Sequence, residues 1–274
     1  MTVADEIVVT GSASPISFET EGGGSWKVWD RYIALDGKRA FHIGNICGTC
    51  SFFFQRLGGA NRSISVAELV SELNIGVVSL GHPLLNVLKQ ILPDGRYRPV
   101  LLSIVPRLVV PGSPSDYFAA EQIELFGLDP FWGLPHDPRT EYYRLDSRLV
   151  GAGQALYEFL VPTFPRGWLK REQVDSYSAV LEKGGRPTAV AVGVLDVKEP
   201  AEVAGDPDIT SHWCFANYLL DGHHKVFAAS QAGLPCSLLS FVAMDRGISS
   251  EDQVETLMAV LEGAAEQGDE ADER

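Results

Sequence analysis

From Leu156 onward the chain keeps a rhythm that leaves few folds open. "YEFLV", "TAVAVGVLDV", "HWCFANYLL" and "CSLLSFVAM" are apolar runs of strand length, and segments of helix length stand among them. In "LKREQVDSYSAVLEKGG" apolar side chains recur at 169, 174, 177, 180 and 181, and Gly184 sits where a left-handed residue closes a helix. "TAVAVGVLDV" reads as a buried strand, and "KEPAEVAGDPDITS" as a polar loop. After "HWCFANYLL", Asp221-Gly222 hands the chain to a helix from about His223 to Ala232, ended by Gly233. A last helix starts near a cap at Ser249 or Ser250 and runs through "EDQVETLMAVLEG". The class is α/β (α+β), in three parts: an N-terminal mixed α/β region over 1–150, a second domain over 151–248, and a C-terminal helix with an acidic tail over 249–274.

The N-terminal region is less regular. Its first 24 residues read as a strand-poor arm with a glycine hinge, in which "EIVVTGS" is at most a short edge strand. "WKVWDRYIALDGKRAFHIGNI" alternates apolar and polar residues around Asp36-Gly37, the pattern of a β-hairpin. Ser51 to Leu57 reads as a helix broken by Gly58-Gly59, and Ser65 as the cap of another that runs through Leu73. Apolar residues at 84, 85, 88, 91 and 92 give a buried helix stripe, and "RPVLLSIVPRLVV" a strand interrupted by Pro106. A helix is expected over Tyr117 to Phe126. Residues 127–140 then form a proline-rich linker or cover whose Phe131, Trp132 and His136 pack against a domain face.

Composition bounds the partners. The 274 residues are 45% apolar and 9% aromatic, enough for a real core. Lys plus Arg total 22 against 36 Asp plus Glu, a formal charge of −14 that repels phosphate backbones, and no basic patch or helix-turn-helix offsets it. No nucleic-acid partner is therefore expected. Part of the charge lies in residues 262–274, "EGAAEQGDEADER", which are expected to be a disordered, solubilising tail. No window reaches the roughly 18 to 20 apolar residues of a membrane helix, and "MTVADEIVVTGSASP" lacks a basic n-region and an apolar h-region, so the expected location is cytoplasmic, with no membrane partner. Cysteines at 47, 50, 214 and 236 make no secreted disulfide framework in such a chain, and reduced thiols are expected.

The chemistry concentrates in "LLDGHHKVFAASQAG". The amides of Gly222 to Lys225 are the unpaired donors of a helix's first turn, where the helix dipole adds fractional positive charge, so the junction is an anion site by construction. Gly222 lets the backbone turn sharply and approach a ligand. His223, His224 and Lys225 add donors and a charge, and Asp221 is a carboxylate suited to holding Mg²⁺ or accepting a hydroxyl proton. The plainer reading is a ligand-free strand-to-helix turn in which the histidines cap or brace neighbours.

The segment from about Tyr157 to Val242 resembles the ParB/sulfiredoxin superfamily. "VPTFPRGWLKREQVDSYSAVLEKGGRPTAVAVGVLD" is similar to its opening strand, helix and "G-x-x-x-P-x-x-V" strand, and "YLLDGHHKVFAASQAGLPCSLLSFV" to its "DGHHR-x-x-A" signature. The resemblance covers about a third of the chain and is closest in motif to the free-serine kinases. It implies a nucleotide site at this turn (ATP or ADP with Mg²⁺) and phosphoryl transfer to a small hydroxyl-bearing metabolite. By position, Asp221 becomes the catalytic or metal-positioning carboxylate, His223 and His224 the phosphate or substrate contacts, and Gly222, His224 and Lys225 the nucleotide cradle. Two departures stand out. Lys225 occupies the usual arginine position and offers a point charge instead of a bidentate fork. Pro165-Arg166-Gly167 replaces the "PHE" whose glutamate acts as base, leaving Glu172 as the nearest substitute. The sulfiredoxin cysteine is absent from the motif. A non-catalytic nucleotide-binding or scaffold protein that keeps the turn as a sensor is the alternative.

Cys47 and Cys50 form a C-x-x-C between a strand and an expected helix, and three readings stay open: half of a zinc site completed from Cys214, Cys236, His42 or His212, a redox dithiol, or plain structure. Asp116 and Tyr117 are expected to cap and pack. Arg139, Arg144 and Arg148 either face the phosphate site or pair with surface acids. No Walker, G-x-G-x-x-G, H-E-x-x-H or G-x-S-x-G spacing occurs.

Overall fold

The protein's structure, a computed structural model, describes residues 2–62, 64, 73–74, 76–128, 136–199 and 210–272, with the side chains of 82 and 264–272 left out. Two short strands, β1 (Thr2–Val3) and β2 (Ile7–Val9), begin the chain. They are followed by β3 (Ile16–Gly23), β4 (Trp26–Leu35), β5 (Lys38–Asn45) and β6 (Gln55–Arg56), which form an antiparallel sheet in that order. Helix α1 (His82–Leu88) leads to β7 (Gly95–Ile104) and β8 (Arg107–Val109), then to α2 (Glu121–Phe126), β9 (Tyr142–Gly151) and β10 (Gln154–Pro162). The remaining elements are α3 (Arg171–Glu182), β11 (Thr188–Lys198), β12 (Ser211–Asp221), α4 (His223–Ala232), β13 (Cys236–Ala243) and α5 (Glu251–Asp272).

The large sheet has nine strands, ordered β1-β7-β13-β11-β12-β10-β9-β8 with β2 also on β7. β10 runs parallel to β12 and β11 parallel to β13, while the other pairings are antiparallel. Strands from both sides of residue 151 therefore share one sheet. Its central members are buried on both faces, which is why β11 is apolar almost throughout. Val190, Val192 and Val194 of β11 join Ala216, Tyr218 and Leu220 of β12 in one core with Ile33, Phe41 and Leu88. Ala191, Leu195 and Val197 join Phe215 and Leu219 in a second core with Val174, Val226, Leu257 and Leu261. The period of two along each strand sorts side chains to opposite faces. The outcome is three layers: the small sheet with α1, the large sheet, and the helices α3, α4 and α5.

A buried ion pair ties two layers together. Arg31 on β4 grips both carboxylate oxygens of Asp196 on β11, at 3.0 and 2.6 Å, and Asp196 also accepts the amide of Ile248.

Three expectations for the N-terminal region need correction. The helix expected over Tyr117 to Phe126 begins only at Glu121, residues 117–120 forming turns. The first 24 residues are not strand-poor, because β1 and β2 edge the large sheet and β3 pairs with β4 along most of its length. Ser51 to Leu57 is not helical: it is extended, with Phe52 and Phe54 fully buried and Phe53 half-buried between His42 and His136. Three consecutive phenylalanines at strand spacing put two rings into the core, where Phe52 stacks on Phe159. The hairpin at Asp36-Gly37, the stripe of α1, the break at Pro106 and the helices α3 and α4 are found as expected, while α5 runs on to Asp272, through the stretch expected to be a disordered tail. The α5 start is a reciprocal cap between Ser250 and Gln253. The expected helix from Ser65 to Leu73, together with Phe131 and Trp132, lies outside the described residues, apart from Leu73. No helix among the described residues is long and apolar enough to cross a membrane.

Candidate functional site

The DGHHK turn lies at the carboxyl ends of the parallel strands β10 and β12. Gly222 has φ of 93°, and a Cβ there would meet Cβ and Cα of Ala189 at 2.7 and 2.8 Å, so both conformation and space demand glycine. The turn aims α4 back across the sheet. No side chain among the described residues caps its first turn, and the first helical bond within it is the Val226 amide to Gly222 O at 2.9 Å. The amides of 223 to 225 thus have no partner among the described residues, beside a cleft of about 210 Å³ lined by Asn74, Gln173, Tyr177, Phe164 and residues 221–225.

The side chains of the motif diverge. His223 is buried, stacks on Phe164 at 3.8 Å, and accepts the Thr163 amide at Nε2 at 3.1 Å. Burial, with a smaller contribution from His224, pushes its pKa down to about 3, so it is a neutral brace with its proton on Nδ1. His224 is half-buried and accepts the Lys170 amide at Nε2 at 3.0 Å. Burial and then Lys170 lower its pKa, against the pull of Asp221, and its Nδ1–H is left as a donor. Lys225 is 2% exposed and donates to Thr188 O at 3.0 Å, with Nζ 3.5 Å from Asp221 Oδ2. Burial lowers its pKa while Asp221 opposes that. Asp221 stays partly open to the cleft.

Sequence reasoning missed Gln173, Tyr177 and Asn74. Tyr177 looks like a member of the apolar stripe of α3, yet it is half-buried, donates to Asn74 Oδ1 at 2.6 Å, and has a pKa raised by burial and by Asp221. Glu172 is exposed and does not line the cleft. Arg166 pairs with Glu141 at 3.0 Å. Arg144 pairs with Glu121 at 2.8 Å and Arg148 with Glu158 at 2.7 Å, so neither faces the turn. Asp116 accepts the Tyr142 hydroxyl and the Gly112 amide, each at 2.7 Å.

Cys47 and Cys50 are joined in a disulfide, so reduced thiols hold only for the buried Cys214 and Cys236. The chain after Cys50 is extended, which removes the helix N-terminus the redox reading relied on. Lys198, buried on β11, donates to Cys47 O at 2.7 Å. His42 pairs with Asp30, and His212 with Tyr117, both at 2.9 Å. Among the described residues no three His, Cys, Asp or Glu side chains gather as a metal site. Comparison of the chain with protein-family models, with curated proteins and with solved structures gives no match.

Proposed function

We propose that the cleft binds the phosphates of a nucleotide, and that the protein is a nucleotide-dependent phosphotransferase acting on a small hydroxyl-bearing metabolite, with a ParB/sulfiredoxin-like domain as its core. The observation that carries this reading is the uncapped first turn of α4, opening on the same cleft as Asp221, His224 and Lys225. Three amides without a partner among the described residues, and the dipole, suit a phosphate; His224 Nδ1–H adds a donor, and the buried Lys225 adds field without reaching outward. Magnesium needs only one or two protein carboxylates when substrate phosphates and waters complete its shell, which Asp221 satisfies for ATP or ADP with Mg²⁺. In the transfer the acceptor oxygen bonds to the terminal phosphorus, the bridging P–O bond of the nucleotide breaks, and the hydroxyl proton passes to Asp221. Positioning and charge stabilisation supply the rate.

The second reading, a ligand sensor without turnover, is favoured by one feature: Asp221 is the sole carboxylate lining the cleft among the described residues. Calorimetric titration with ATP, ADP and CTP in Mg²⁺, on the native chain, Asp221→Asn and Lys225→Met, separates the two. Micromolar binding with product formation lost in Asp221→Asn supports the enzyme. Binding with no product from any hydroxyl acceptor supports the sensor. No heat with any nucleotide overturns both.

A further inference from the structure

Behind the Phe164–His223 stack, on the side away from the DGHHK cleft, lies a second cavity of about 180 Å³. Its floor is apolar: Leu108, Tyr143, Pro162, Leu169 and Leu219 line it together with Phe164. Its rim is cationic. Arg56 from β6, Arg139 from the segment before β9, and Arg166 after β10 converge there from three separate stretches of chain, facing the single carboxylate Glu141. Three guanidiniums against one carboxylate leave a local charge of about +2 in a chain whose formal charge is −14.

The rim is constructed, not merely crowded. The Arg56 amide donates to Pro138 O at 2.9 Å, which fastens the 136–140 segment to β6. Arg139 holds a left-handed backbone, φ 54°, steadied by its amide's bond to Asp137 Oδ1 at 2.8 Å. A non-glycine residue in that region costs of order 1 kcal/mol, and such strain clusters at ligand clamps. Arg166 is occupied by Glu141, but neither Arg56 nor Arg139 pairs with a carboxylate among the described residues. Arg56 reaches Ala60 O at 2.8 Å and Asn61 Oδ1 at 2.6 Å through one terminal nitrogen, while its buried Nε has no hydrogen-bond partner among the described residues.

We infer that this cavity is a binding site for a small organic acid with an apolar body, its carboxylate held by Arg56 and Arg139 and its body lying on Leu108, Phe164 and Leu219. A fork-shaped donor over an apolar pocket selects a planar anionic head on a hydrophobic tail over either part alone. None of its three arginines lines the DGHHK cleft, with which it shares only the Phe164–His223 stack as a common wall.

Titration of the full chain with hexanoate, with 1-hexanol and inorganic phosphate as controls, tests it by calorimetry and by NMR of the Leu108 and Leu219 methyls. Saturable hexanoate binding is expected, at least tenfold tighter than either control. Arg139→Met, at an exposed position that leaves folding intact, should weaken it at least fivefold, and Leu108→Trp, which fills the floor, should abolish it with every arginine in place. Hexanol binding as well as hexanoate, no saturation by hexanoate, or unchanged affinity in both variants would each overturn the assignment.

Discussion

The neutral state of His223 gives a quantitative test of the geometry around the turn. Its pKa falls from an ordinary 6.5 to about 3, chiefly through burial, so at pH 5 the unfolded chain holds a proton on this ring and the folded chain does not. A group with a depressed folded-state pKa stabilises above its unfolded pKa, and that stability drains as pH falls toward the folded value. At pH 5, about 1.5 units below the unfolded value, the loss is about 2 kcal/mol. His223→Gln keeps an acceptor for the Thr163 amide and removes the titration. Urea unfolding at pH 7 and pH 5 on both proteins isolates this one residue, because every other titrating group is common to the pair. The native chain should lose about 2 kcal/mol more than the variant across that interval. Equal losses, or a His223 ring proton that titrates near 6.5 by NMR, would refute a buried neutral imidazole and with it the packing that separates the two cavities.

Other tests follow from the same contacts. Gly222→Ala combines a left-handed penalty with a 2.7 Å approach to Ala189, and should cost about 2–4 kcal/mol by urea unfolding while weakening any ligand at the α4 amides. Arg31→Met strands Asp196 between two layers and should cost about 3–5 kcal/mol, most of it recovered when Asp196→Leu is added, read as a thermal midpoint. Glu158 is buried, and desolvation lifts its pKa to about 6 against the pull of Arg148. Its contribution is full below pH 4.5 and lost as pH rises past 6, so the native chain should lose about 2 kcal/mol more than Glu158→Gln between pH 4 and pH 8.

The legible part of this fold is the part in which each strand or helix declares itself locally. β11 is apolar on both faces, α3 carries its own stripe and its own stop at Gly184, and Asp36-Gly37 names its hairpin. Less legible is whatever depends on a distant partner. Residues 2–23 look like an arm because their strands draw their meaning from β7 and β4, and "SFFF" looks like a helix because nothing local says that Phe52 and Phe54 face a core completed by Phe159. The pairing of β7 with β13, across more than 130 residues, likewise carries no local signal.

The turn itself shows where reading residue types reaches its limit. Asp221, His223, His224 and Lys225 lie together in sequence, which invites the picture of four side chains closing on one ligand. Successive positions on a helix point about 100° apart, so three neighbours at its start must diverge. They do: His223 turns to the end of β10, His224 to the start of α3, and Lys225 beneath the turn to Thr188 O. What converges is the backbone, because the first-turn amides of a helix all point along its axis. The histidines and the lysine fix the strand ends and helix start around that axis, while Gly222 and Asp221 leave it open. A substitution that preserves those braces should therefore spare anion binding more than the motif's chemistry suggests, whereas a Cβ at 222 should weaken it with every polar side chain still in place.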